Sequence, residues 1–285
     1  MRQVKKRNMH VVISAFITIQ LFQCIVATFS PGKTSLILIM PPILAAQTQS
    51  PPPSPPPPDW WEPSPGTSWQ WQLSGTIDTS FDVDMYDIDY ETPTTIIELL
   101  HSLGIIVICY MSAGSWESYR SDAAQYPASV LGNTLEGWAE EKWVDIRQID
   151  VLGPILETRM DTAVNKGCDG IEPDNVDAYQ NDSGFQLTYN DQIVFNKWLA
   201  QQAHERNLSI GLKNDLGQVN DLEPFFDWAL NKECFQYNEC DSLLTFVNAG
   251  KAVFGVEYIG DPNSFCPAAN GSNFDWLKKN IELDA

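Results

Sequence analysis

The sequence predicts an α/β chain closed into a (β/α)8 TIM barrel, and three observations carry that reading. From Trp69 onward, short strand-like runs alternate with helix-period segments, the pattern of an α/β fold. Eight such runs can be counted, and eight parallel strands close a barrel rather than an open sheet. Most of them end in acids, amides or aromatics, and in a barrel all C-terminal strand ends converge on one rim. The chain has 285 residues, which leaves room for an N-terminal extension ahead of one barrel.

Residues 1–46 read as a signal peptide or signal anchor. Met1 to Arg7 is basic, His10 to Phe29 is apolar and uncharged, and Ser35 to Leu44 leads to the small pair Ala45-Ala46. The first apolar run is long enough to span a bilayer if it is not cleaved. Residues 47–66 form a Pro-rich linker whose Pro-Pro-Pro-Ser-Pro-Pro-Pro-Pro run favours stiff polyproline II. Residues 67–285 are assigned to the barrel. A secreted or surface-anchored location is expected, with membrane contact only through an uncleaved N-terminal segment.

The strand candidates are Trp69–Ser74, Val83–Ile88, Ile105–Met111, Trp143–Ile146, Gly170–Glu172, Ser209–Lys213, Phe226–Asn231 and Ala252–Glu257. Pro93 announces a helix over Thr94–Leu103. A second helix, Asp191–Glu205, places Val194, Phe195, Trp198 and Leu199 on one face. No internal repeat is visible, and the chain is expected to be a monomer.

The formal charge is −20, which repels nucleic acid and anionic membranes and attracts cationic partners. Solubility in an acidic extracellular setting explains the same charge equally well. Cysteines stand at 24, 109, 168, 234, 240 and 266. Cys109 sits in an apolar strand pattern and reads as a buried thiol. Cys234 and Cys240 bracket a short loop and are expected to pair, since an exported chain can oxidise them, with a link from either to Cys266 as the alternative. Asn181, Asn207 and Asn270 open glycosylation sequons, in agreement with export.

The stretch Lys166-Gly-Cys-Asp-Gly-Ile-Glu-Pro-Asp-Asn-Val-Asp177 is the most acidic strand end, with Asp169, Glu172, Asp174 and Asp177. A second acid, Glu233, closes the run that starts at Phe226. Two carboxylates on two strand ends are the minimum equipment for glycoside hydrolysis. Other chemistries fit poorly. His10, His101 and His204 fall in the targeting segment and on helical patterns, which argues against a Ser-His-Asp triad. His204-Glu205-Arg206-Asn207-Leu208 lacks the second His of a zinc protease motif. Without a Gly-x-Gly-x-x-Gly turn or a phosphate loop no nucleotide cofactor is expected, and cysteine spacing that matches no zinc site, with no histidine near, gives no metal.

Six blocks carry a family resemblance between Trp69 and Tyr258. They are Cys109-Tyr-Met-Ser-Ala-Gly-Ser-Trp-Glu117, Trp143-Val-Asp-Ile-Arg147, Gly167-Cys-Asp-Gly-Ile-Glu-Pro-Asp-Asn-Val-Asp177, Gly211-Leu-Lys-Asn-Asp215, Asn231-Lys-Glu-Cys-Phe-Gln-Tyr-Asn-Glu-Cys240 and Val256-Glu-Tyr258. In these the sequence resembles glycoside hydrolase family 114, the endo-α-1,4-polygalactosaminidases. The resemblance implies a (β/α)8 barrel, secretion, and endo-cleavage of galactosamine-containing polysaccharide. It implies a catalytic Asp at Asp174 and a catalytic Glu at Glu233. The assignment adopted is Asp174 as nucleophile and Glu233 as acid/base, with retention of configuration. Glu172, two residues earlier on the same strand face, is a supporting acid or the replacement catalyst. Where the family pattern reads Asn-Glu-Glu or Asn-Glu-Gln before the Cys, this chain has Asn231-Lys232-Glu233, so Lys232 is a departure beside Glu233.

Candidate sugar-binding residues are Trp71, Asp87, Asp89, Tyr110, Ser112, Glu117, Glu172, Lys213, Asn214 and Glu257, with Trp116 as a further stacking candidate. For each the plain structural role competes: core packing for the aromatics, solvation for the acids. A non-catalytic carbohydrate-binding barrel displayed on the Pro-rich stalk is the alternative reading. The presence of both acids favours the enzyme.

Overall fold

The computed structural model describes residues 58–285. The export segment over 1–46 and the Pro-rich part of the linker up to residue 57 lie outside the described residues. The strands are β1 (Trp69–Gln72), β2 (Met85–Asp89), β3 (Ile106–Ser112), β4 (Ser115–Glu117), β5 (Leu131–Leu135), β6 (Trp138–Val144), β7 (Gly170–Asp174), β8 (Ser209–Lys213), β9 (Trp228–Lys232), β10 (Val253–Glu257) and β11 (Asp275–Lys278). The helices are α1 (Thr94–Ser102), α2 (Ile149–Lys166), α3 (Tyr189–His204), α4 (Val219–Leu222), α5 (Cys234–Tyr237), α6 (Leu244–Asn248) and α7 (Pro262–Gly271).

Eight strands form one parallel sheet in the order β1-β2-β3-β7-β8-β9-β10-β11. Side bonds span the seam between its two ends. Trp69 Nε1 donates to the Asp275 carbonyl at 2.8 Å. The Leu73 and Ser74 amides donate to the Leu283 carbonyl at 2.9 and 3.2 Å. This is the expected TIM barrel. Period-two alternation divides its side chains. Trp69, Trp71, Ile108, Trp228, Leu230, Phe254 and Val256 fill the interior. Tyr86, Ile88, Val107, Ile171, Ile210 and Leu212 pack outward with Leu156, Phe195 and Leu199 of the helices. On α3, Val194 is 50% exposed, so the apolar face is narrower than the sequence spacing predicts.

Seven of the eight expected strands are barrel strands, and one expectation is corrected. Trp143–Ile146 overlaps β6, the central strand of a separate antiparallel sheet in the order β4-β6-β5. That sheet is inserted between β3 and α2. The eighth barrel strand is β11, only four residues long with Asp275 and Lys278 at its ends. Its charged ends hid it, while the apolar end of β6 imitated a barrel strand.

Cys109 is not a free thiol. It is disulfide-bonded to Cys168, with Cα atoms 6.0 Å apart. Cys109 points outward from β3 and Cys168 leads into its neighbour β7, so an adjacency created by the fold joins residues 59 apart in sequence. Cys234 and Cys240 pair as expected. The C-terminal part of the expected linker already packs on the barrel. Trp60 stacks on His204 with ring centroids 4.0 Å apart and donates to Asp227 Oδ1 at 3.0 Å.

Candidate active site

Strand β7 brings the acids to the rim. Its ladder with β8 stops after Gly170↔Ser209 and Ile171↔Ile210. Pro173 has no N–H to extend it. Glu172 and Asp174 share one face of β7 by period-two alternation, and Lys213 at the end of β8 reaches both. Lys213 Nζ is ion-paired to Glu172 Oε1 and lies 3.4 Å from Asp174 Oδ1. It sits 4.6 Å from the Trp71 ring centroid. Glu172 Oε2 accepts from Trp71 Nε1 at 3.1 Å. Beside Glu172 lies Asp87, fully buried, with no donor on either oxygen. Burial, then the charge of Glu172, pushes Asp87 well above the carboxylate range. A neutral Asp87 can offer its one proton to Glu172, which leaves the other Asp87 oxygen without a partner.

These neighbours separate the carboxylates by role. Glu172 and Asp87 are sealed at 0% exposure, and burial raises Glu172 despite Lys213. Asp174 keeps 18% of its side chain exposed. Its burial is outweighed by Lys213, by Lys232 and by the Asn175 N–H, donated to Oδ1 at 2.8 Å, so it lies below its ordinary value. It is therefore ionised and reachable. Lys213 is held above its ordinary value because Asp174 and Glu172 outweigh its burial. The Tyr110 hydroxyl completes the group, donating to Asp174 Oδ2 at 3.4 Å.

The turn after Asp174 is tightly set. Asn175 takes φ 63°, a left-handed conformation that Asn tolerates better than most residues. Its Nδ2 donates to Ser112 Oγ and Ser115 Oγ, both at 3.0 Å. Gly114 is required here, since a Cβ would lie 1.7 Å from the Asn175 carbonyl oxygen. Ser115 Oγ in turn donates to Glu141, which burial lifts to about 7.

Glu233 ends β9 in another manner. It too is left-handed, at φ 66°, a strained state for a residue with a long side chain. Its amide donates to the Val256 carbonyl at 2.8 Å. The Cys234 amide donates to Asn231 Oδ1 at 3.1 Å, and the Phe235 amide to Glu257 Oε1 at 3.0 Å. The Cys234–Cys240 disulfide closes the loop. Tyr258 follows the end of β10, and its hydroxyl is raised by burial and feels the charges of Lys213, Asp174, Glu172 and Glu233.

The remaining sequence candidates divide by location. Asn214 is half-buried, and its Oδ1 accepts from the Lys232 amide at 3.1 Å, joining the β8 and β9 ends. Ser112 is buried beneath Asn175, and Trp71 and Asp87 lie under the ion cluster. Glu257 faces outward and holds the Glu233 loop. Asp89 and Glu117 are engaged by Arg120, with contacts of 2.6 to 2.9 Å. Trp116 packs on the core and donates to the Ala123 carbonyl at 3.0 Å. Asp169 sits at the opposite end of β7 and meets His101 at 2.9 Å. Among the described residues no group of His, Cys, Asp and Glu is arranged to hold a metal ion.

Sequence reasoning named Asp177 and Tyr258 only as strand-end residues and gave no part in the site to Asn175 or the insertion. A groove of about 520 Å³ opens beside Asp174, between the β5–β6 hairpin and the loops after β7, β8 and β9. Gly137, at φ 82° in the turn, is a weak local signal of that hairpin, because the flanking runs are poor in strand formers.

Residues 50–285 match the model of glycoside-hydrolase family GH114. The chain belongs to family GH114. It is 40% identical to Ega3 of Aspergillus fumigatus, whose crystal structure is a complex with galactosamine. That match has a TM-score of 0.75 over 79% of this chain and 95% of Ega3. The fold is also similar to the glycoside hydrolase domain of PelA from Pseudomonas aeruginosa. There the identity is 11% and the TM-score 0.61, over 76% of this chain and 96% of that one. No curated protein matches the chain. This GH114 member is thus a glycoside hydrolase. In it an ionised, solvent-reached Asp174 and a second acid, Glu233, stand at the ends of strands separated by β8 alone.

Proposed function

We propose that the chain is an endo-glycosidase that cleaves α-1,4-linked, galactosamine-containing polysaccharide, with Asp174 as nucleophile and Glu233 as acid/base. The observation that carries this reading is the environment of Asp174. Lys213 and the Asn175 N–H keep it ionised, while the acids beneath it are sealed from substrate. The galactosamine bound to Ega3 supports the sugar. Acids at the rim and a formal charge of −20 suit a polymer carrying free amines.

In the first step Asp174 attacks the anomeric carbon. The glycosidic bond breaks, and Glu233 gives its proton to the departing oxygen. In the second step Glu233 takes a proton from water, which displaces Asp174 and leaves the original configuration. The basic and apolar N-terminal sequence and the two disulfides support action outside the cell, either free or anchored.

Incubation with partly deacetylated galactosaminogalactan should release new reducing ends along with a rapid loss of chain length. Asp174→Asn and Glu233→Gln should each cut turnover by about 10³-fold or more with the fold unchanged, since each supplies one half of a two-carboxylate mechanism. Wild-type turnover by Asp174→Asn would show that Asp174 is not the nucleophile. Proton NMR of the first-formed product should show the substrate's anomeric configuration, and an inverted product would make Asp174 a general base instead.

A further inference from the structure

The groove beside Asp174 has properties that the two-carboxylate reaction does not use. Its volume of about 520 Å³ falls within the usual range of small-ligand sites. Trp138, Asp177, Asp182, Asn175, Asn214 and Lys232 line it. It is continuous with the reaction centre, because Asn175 donates to Asp174 and the charge of Lys232 acts on Asp174.

Its outer wall is built to hold its shape. Asn133 bonds across the groove base, its amide to the Ser183 carbonyl at 3.0 Å and its Nδ2 to Asp182 Oδ1 at 2.9 Å. Leu135 and Trp143 anchor the hairpin by packing on Ala178. Trp138 takes no part in that anchoring. It is 51% exposed just after the Glu136-Gly137 turn. An indole left open on a fixed wall of a polar groove is a ready surface for the apolar face of a pyranose ring. Across the groove, burial and then the charge of Asp174 lift Asp177 to about 6. Lys232 offsets these only in part, so a further cation beside Asp177 would be favoured.

Resting on the galactosaminidase reading above, we infer that this groove is a sugar subsite next to the scissile bond. There Trp138 stacks on one hexosamine ring and Asp177 receives that ring's free amine. The insertion that interrupts the barrel pattern is thus a specificity element. The subsite discriminates a galactosamine unit from its N-acetylated counterpart, whose amide carries no charge.

The test uses a Glu233→Gln background, so that oligomers bind without being cleaved. Titration calorimetry compares α-1,4-galactosamine oligomers with N-acetylated ones of equal length. Trp138→Ala should weaken both by about 3- to 10-fold, the range of an aromatic stacking contact. Trp138→Phe should restore most of that loss. Asp177→Asn should lower the preference for the free amine by about 10-fold, the scale of one lost charge-assisted hydrogen bond. Unchanged affinities in Trp138→Ala, or an unchanged amine preference in Asp177→Asn, would overturn the subsite. Wild-type hydrolysis of the polymer is read separately. If no reducing ends appear, the function reading fails, whatever the titrations show.

Discussion

The two candidate carboxylates are held by opposite means. Asp174 sits on a regular strand end and is set by charge: Lys213 at 3.4 Å, Lys232 further out, and one backbone N–H. Glu233 sits on a strained residue and is set by the chain: three neighbouring amides, an outward-facing Glu257 and a disulfide. On the roles proposed above, Asp174 as nucleophile must stay ionised, which a neighbouring cation serves, and Glu233 is the proton carrier. A proton carrier must change state twice per turnover, so a fixed position suits it better than a strong field. One side of the site is therefore sensitive to loss of a charge, and the other to loss of a tether.

Removing Lys213 should have the largest effect on this contrast. Lys213→Met leaves Glu172 and Asp174 without their buried cation, and breaking a buried pair costs about 3 to 5 kcal/mol. Turnover should fall by about 10²-fold, the loss expected when the charge holding an ionised group is removed. The acid limb of kcat/KM should also shift. Lys213 lowers Asp174, so without it Asp174 protonates at higher pH and the limb moves up. A variant with lower activity but an unmoved acid limb would show that Lys213 serves stability and not the state of Asp174.

The sequence showed the outline of this site but not its wiring. Alternation located seven barrel strands, and the acids at their ends gave Asp174 and Glu233. Glu172 and Asp174 share a face by simple period. That Lys213 joins them depends on β8 lying beside β7, a tertiary fact with no local signal. The same holds for Cys109–Cys168, and for Arg120, which removes Asp89 and Glu117 from the cleft. Left-handed Asn175 and Asn214 were nearer to legible, since Asn favours that region, whereas Glu233 at φ 66° breaks local preference. Such a break fits the proton-carrying role proposed for Glu233.

The two disulfides separate stability from position. Cys109–Cys168 spans 59 residues and Cys234–Cys240 spans 6. The loop-entropy relation gives about 4 kcal/mol for the first and about 2 kcal/mol for the second. Cys109→Ala/Cys168→Ala should lower Tm by about 10 °C with kcat little changed. Cys234→Ala/Cys240→Ala should lower Tm by about half as much, yet cut kcat by about 10-fold, because the turn presenting Glu233 loosens. Calorimetry beside single-turnover rates checks both. Equal kcat in the two double variants would show that the short disulfide does not position Glu233.

The smallest expected effect concerns three acids on the Asp174 side that form no ion pair among the described residues. Burial lifts Glu141 to about 7 and Asp215 to about 9, and Asp177 lies at about 6. Asp215 is 1% exposed, and its Oδ2 accepts from Asn196 at 3.0 Å. In the unfolded chain all three ionise near pH 4. Between that pH and their folded values the native state holds protons that the unfolded chain has released, so stability falls as pH rises. The limiting slope is about 1.4 kcal/mol per pH unit for each group still protonated in the native state. Asp174, shifted down, acts in the opposite sense but only below its ordinary value, outside this window. Tm at constant ionic strength should therefore be higher at pH 5 than at pH 8. Asp215→Asn should flatten the dependence most, because its window is the widest and the amide oxygen can still accept from Asn196. A Tm that rises from pH 5 to pH 8 would mean that these acids are ionised in the native protein. The Asp174 side would then hold more negative charge than Lys213 and Lys232 balance.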